Sequence, residues 1–91
     1  MNSLREEIDG IDRDLVALLA RRAACIDRAV ELKRASGLPA RIDWRVDQVI
    51  GNAQATAATA GLDPELARAL WSLIVEWSIE REARALGEDL R

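Results

Sequence analysis

Arg22 and Lys33 lie eleven residues apart in a helix-patterned stretch, so they point within about 20° of one another and sit about 16 Å apart on one face. Ile26 and Ala29 come between them on that face. Two cations flanking a small apolar gap can hold a compact dianion, whereas a purely structural helix turns Lys and Arg to its solvated side. Taken singly, each has an ordinary explanation: Arg22 can pair with an acid of a neighbouring helix, and Lys33 suits a last helical turn. Their shared stripe singles them out. Arg5 stands 17 residues before Arg22, about 26 Å away and about 100° around the axis, so one chain cannot bring both to one small ligand. If two copies pack their first helices antiparallel, Arg5 of one approaches the Arg22 to Lys33 region of the other. Later in the chain Trp71, Ile74 or Val75, Ser78 and Glu82 form one stripe, so Glu82 continues a mostly apolar face.

Composition narrows the chemistry. The chain has no His, and Cys25 is its one cysteine, which removes the usual neutral-pH acid/base, a zinc cluster and an internal disulfide. No metal and no cofactor is expected. A net charge of -3 argues against nucleic acid as the main partner, because phosphate binding needs a clustered positive field. The opening MNSLREEID is charged where a secretory leader would be apolar, and no apolar run approaches the roughly 20 residues that span a bilayer. The expected location is the cytoplasm, with no membrane contact.

These side chains must be positioned by helices. The chain is rich in Ala and Leu and lacks Phe and Tyr, a composition that favours helix over sheet and predicts an all-α fold. Ser3-x-x-Glu6 reads as a capping box opening the first helix. Leu4, Ile8, Ile11, Leu15, Leu18, Cys25, Ala29 and Leu32 then recur at alternating spacings, with Arg22 interrupting the seam. Ser36-Gly37-Leu38-Pro39 ends this helix after about 33 residues and about 50 Å. Two shorter helices cannot cover so long a seam, and a domain of 91 residues buries only about 60 to 65% of its unfolded surface, so a second copy is expected to cover the remainder.

Asp43 is the expected N-cap of a second helix with Val46, Val49, Ile50, Ala53 and Ala57 on its apolar side, ending at Gly61. Asp63-Pro64-Glu65 combines a cap, a first-turn proline and an acid at the positive end of the dipole, predicting a third helix to about Leu86. Cys25, on the apolar seam, is expected as a buried thiol. Trp44, Trp71 and Trp77 are the aromatic residues, expected as core anchors rather than a base-stacking set.

The pattern Leu4-Arg5-Glu6-x-Ile8-x-x-Ile11-Asp12, then Leu15-x-x-Leu18-Leu19-Ala20-x-Arg22, then Lys33, Pro39, Arg41, Arg45 and Gly61-Leu62-Asp63, resembles the AroQ class of chorismate mutases. The resemblance covers nearly the whole chain, so residues 1–91 read as a single type II-like helical domain. It implies an intertwined homodimer whose long first helices pair and whose two pockets draw on both chains. By similarity, Arg22 and the partner's Arg5 would bind the two carboxylates of chorismate. Lys33 would reach a carboxylate and the ether oxygen, Arg45 would add positive potential, and Ser78 would line the carboxylate region. The implied reaction is the Claisen rearrangement of chorismate to prephenate, in which the ether C–O bond breaks as a C–C bond forms. Such a step needs orientation and stabilisation of charge on the ether oxygen rather than a nucleophile.

The chain departs from the family pattern at two places. Many members have Gln where this chain has Glu82, and a carboxylate cannot donate to the ether oxygen unless it is protonated. Activity is therefore expected to fall as pH rises, and Glu82→Gln is expected to flatten the profile. The alternative role for Glu82 is to pair with Lys33 or Arg81 and only shape the pocket. Val46 stands where the pattern commonly has a Glu for the substrate's C4 hydroxyl, and Ile42 replaces another acid. Asp43 or Asp47 could compensate, but Asp47 is turned by about 100° from residue 46 and should not inherit its contact without a shift. Arg45-Val46 and the tryptophan of Ile74-Val75-Glu76-Trp77 are similar to the isochorismate pyruvate lyase branch, which forms salicylate and pyruvate. That lyase remains the alternative, with an amino-deoxychorismate mutase as a minor third. A non-catalytic helical dimerisation module is the remaining reading, in which Arg5, Arg22, Lys33 and Arg45 only make interchain salt bridges.

Overall fold

A computed structural model describes residues 1–88 and contains three helices: α1 (Asn2–Ser36), α2 (Asp43–Ala60) and α3 (Pro64–Leu86). The all-α expectation holds. None of the described helices is long and apolar enough to cross a membrane. All three end in the same way, on a glycine in the left-handed region: Gly37, Gly61 and Gly87, with φ of 69°, 80° and 75°. In each case the amide of the next residue turns back to a carbonyl of the last turn: Leu38 to Lys33 at 2.9 Å, Leu62 to Ala57 at 2.8 Å and Glu88 to Ala83 at 2.8 Å. A side chain at the glycine would strain this closure.

The helix starts follow the sequence reading at only one of three places. Asp63 caps α3, its carboxylate accepting from the Glu65 amide at 2.9 Å, with Pro64 in the first turn. The other two caps are corrections. Met1 is the N-cap of α1 without a side-chain bond, because the helix already includes Ser3 and the hydroxyl lies inside the first turn. Ile42, in extended backbone, precedes α2, and its carbonyl accepts from Arg45 and Val46. Asp43 is therefore helical, and its charge acts on the dipole rather than as a cap.

The helices lean on α3. It packs against both α1 and α2, whereas α1 and α2 do not pack directly on each other. The turn Gly61-Leu62-Asp63 folds α2 back along α3, and the small residues Ala57 and Ala67 are buried between them. The C-terminal half of α1 lies beside the C-terminal half of α3, with Val30, Val75 and Ala83 buried there. The N-terminal half of α1 projects alone, and the molecule measures 51 × 23 × 23 Å. Leu4, Ile8, Ile11, Leu15 and Leu18 are all exposed, as the length argument requires for a single chain. Three further expectations are corrected in the single chain. Cys25 is exposed, because it faces away from α3 on a helix with no other cover. Trp44 and Trp77 are 68% and 51% exposed rather than buried; Trp77 instead carries the Arg81 guanidinium 5.5 Å from its ring centre.

Candidate active site

Because α1 and α2 separate on either side of α3, a cavity of about 240 Å³ opens between all three helices. Arg22, Ile26, Ala29 and Lys33 of α1 form one wall, at the spacing that helical periodicity requires. Arg45, Val46 and Val49 of α2 face them, and Val75, Ser78, Ile79 and Glu82 of α3 form the floor. Three cations, one hydroxyl and one carboxylate thus converge on otherwise apolar walls. Such a combination is suited to a small anion whose body is apolar.

Each cation is held by a different partner. The Arg22 guanidinium donates to Ser78 Oγ at 2.8 Å, and that hydroxyl donates in turn to the Ile74 carbonyl at 2.8 Å. Ser78 therefore orients the guanidinium while leaving its charge uncompensated. Lys33 Nζ donates to the Ala40 carbonyl at 2.7 Å and lies 3.1 Å and 3.3 Å from the two oxygens of Glu82. The Glu82 side chain is only 5% exposed and that of Lys33 18%, so this pair is shielded from water. Arg45 is more exposed and donates to Gln48 one turn on, at 2.6 Å.

Around the rim, Arg81 grips Asp27 through two bonds of 2.6 and 2.9 Å. That grip holds the Asp27 carboxyl below its ordinary range, the hydrogen bond being the main cause. Arg41 pairs with Glu76 at 2.6 Å, which keeps its guanidinium protonated beyond even the usual arginine range. These pairs tie α1 and the connection before α2 to α3, and they consume cations that would otherwise compete for an anion.

Arg22, Lys33, Arg45, Ser78 and Glu82, all singled out in the sequence, line the one cavity. Arg5 does not; it lies exposed in the first turns of α1. Of the two alternatives for Glu82, pairing with Lys33 is the one observed, since Arg81 is engaged with Asp27. Val46 and Ile42 both line the cavity, whereas Asp43 and Asp47 do not. Among the described residues, Glu82 is the one carboxylate in the lining. Sequence reasoning missed the Ala40 carbonyl, which has no side-chain signature, and Gln48, whose spacing from Arg45 was a usable signal.

Residues 4–83 match the profile of chorismate mutase type II. The chain belongs to that family. A T-protein from Enterobacter agglomerans is 30% identical over 66 residues, which cover 72% of this chain and 18% of that relative. The chain thus spans less than a fifth of the length of this relative. No solved structure gives a significant match. In this chorismate mutase type II chain the family match extends from the exposed start of α1 to Ala83, so it includes every cavity-lining residue named above as well as Arg5.

Proposed function

We propose that the chain is a chorismate mutase that converts chorismate to prephenate in a pocket completed by a second copy of itself. The observation that carries this reading is the convergence of Arg22, Lys33 and Arg45 on one apolar-walled cavity with Ser78 and Glu82 at its floor. Family membership supports the same reaction.

The rearrangement is unimolecular, so the residues must fold the enolpyruvyl arm over the ring and stabilise negative charge as the ether bond breaks. Arg22, oriented by Ser78, takes one substrate carboxylate. Lys33 reaches the other carboxylate and the ether oxygen, and Arg45 raises the potential from the α2 side. Glu82, when protonated, donates to the ether oxygen; when ionised it holds Lys33 and opposes the incoming dianion.

Arg5 enters through dimerisation. The uncovered row Leu4, Ile8, Ile11, Leu15 and Leu18 is a long apolar face of the kind that marks an association surface. Antiparallel pairing through this row carries the partner's Arg5 to the open side of the cavity, where it takes part in binding the second carboxylate.

A second reading, an isochorismate pyruvate lyase, is favoured by one observation: Ile42 and Val46 present hydrocarbon to the cavity where a C4 hydroxyl would require an acceptor. The test is to supply purified protein separately with chorismate and isochorismate and to follow prephenate by absorbance and salicylate by fluorescence. Dominant prephenate supports the mutase and means that position 46 tolerates loss of its carboxylate. Dominant salicylate overturns it in favour of the lyase. Turnover of neither, together with no binding of a dicarboxylate transition-state analogue, returns the chain to a dimerisation module.

A further inference from the structure

Lys33 is held from two sides, and only one of them belongs to the floor of the cavity. On the other side is Ala40, 3% exposed, whose carbonyl accepts from Lys33 Nζ at 2.7 Å. The Ala40 amide in turn donates to the Glu88 carboxylate, whose oxygens lie 3.2 and 3.3 Å away. We propose that Glu88, which does not line the cavity, is a positioning residue that sets Lys33 by fixing Ala40. Its activity readout rests on the chorismate mutase reading; the geometry does not.

Both ends of this contact are anchored. Glu88 directly follows the left-handed Gly87, and its own amide bonds the Ala83 carbonyl at 2.8 Å. Its backbone is therefore part of the α3 closure rather than a free tail. Ala40 follows Leu38, whose amide bonds the Lys33 carbonyl at 2.9 Å, and Pro39 fixes the intervening φ. Arg34 adds a clamp at the same corner, donating to the Ala85 carbonyl at 2.8 Å. Glu88 is thus the acceptor for a buried amide at the junction of two rigid helix ends.

Without Glu88 that amide has no partner, and an unpaired buried donor forces a local rearrangement to reach water. The segment 37–42 moves, the Ala40 carbonyl leaves Lys33, and the ammonium settles on Glu82 alone. There it is neutralised and drawn towards the floor. The loss is felt in substrate binding and in the chemical step together, because Lys33 serves both.

The test compares Glu88→Ala, Glu88→Gln, Lys33→Ala and the double variant Glu88→Ala/Lys33→Ala by chorismate turnover. In parallel, NMR follows hydrogen exchange of the Ala40 amide and the nitrogen resonance of Lys33 Nζ. Glu88→Ala is expected to lower kcat/KM about tenfold, and Glu88→Gln, which keeps an acceptor oxygen, to restore most of it. In the Lys33→Ala background Glu88→Ala should cost nothing further. The Ala40 amide should exchange at least about tenfold faster in Glu88→Ala, with a shifted Lys33 resonance. Equal losses in both backgrounds, or an Ala40 amide and Lys33 resonance unchanged by Glu88→Ala, overturn the proposal. If the unaltered protein does not turn over chorismate, the functional reading fails, and the two NMR measurements decide the role of Glu88 without it.

Discussion

Replacing Glu82 with Gln preserves the shape of a nearly buried side chain and removes one charge 3.1 Å from Lys33. At that separation and an effective dielectric of about 20, the attraction lost is about 5 kcal/mol. The desolvation of both ions, which the amide avoids, cancels most of it, and the amide oxygen still accepts from the ammonium. The net loss in folding stability is therefore about 1–2 kcal/mol. On the proposed function, the effect on the reaction has the opposite sign. A Glu82 carboxylate paired with Lys33 cannot donate to the ether oxygen, whereas an amide can, and one donor aimed at developing charge is worth about 10²–10³ in rate. We expect Glu82→Gln to raise kcat by up to about a hundredfold. Prephenate formation by the two proteins under the same conditions checks this, with thermal unfolding as the stability measurement. A variant no faster than the wild type refutes the reasoning that a donor at position 82 assists the reaction.

Arg22→Ala should lower kcat/KM by the equivalent of about 2–5 kcal/mol with helix content unchanged; circular dichroism and steady-state kinetics would check it, and intact dicarboxylate binding would contradict the assigned role. Ile11→Lys places a charge in the exposed row of α1, where Ile11 is 52% exposed in the single chain. It should shift sedimentation from dimer to monomer and abolish turnover, since Arg5 and the cavity then belong to separate molecules. Gly51→Ala and Gly61→Ala should move stability in opposite directions by about 1 kcal/mol each, read by chemical denaturation. A methyl group meets nothing within 4 Å at either site, so helix propensity decides at Gly51 and the positive φ decides at Gly61.

The parts of the site governed by helical repeat were legible in the sequence. Arg22, Ile26, Ala29 and Lys33 line one wall because the geometry of a helix leaves their relative directions no freedom. The same holds for Val75, Ser78 and Glu82 on α3. Helix ends were legible where the signal is intrinsic to the residue, as with Gly37, Gly61 and the Asp63-Pro64 start. They were misread at Ser3 and Asp43, where a good capping residue is present but the backbone leaves the helix one or two positions earlier, at Met1 and Ile42. Ala40 and Glu88 were illegible for another reason: they are 48 residues apart in the chain, and one of them acts through its backbone. Trp44, Trp77 and Cys25 were read as core because their spacing is apolar and helical, but spacing alone does not say whether a neighbouring surface exists within the same chain.

The absence of direct packing between α1 and α2 has a thermodynamic consequence. In most small helical domains the space between neighbouring helices is filled by side chains, and the fold is complete before any ligand arrives. Here that space is the cavity itself. A dianion spanning Arg22 and Lys33 on one side and Arg45 on the other joins two helices that do not pack on each other directly. On the proposed function, substrate acts as a removable piece of core, and each catalytic cycle is also a cycle of tightening and loosening the fold. The free protein carries the mechanical cost of an unfilled interior, and saturating ligand at about a hundred times its Kd returns about 2.7 kcal/mol of stability to it.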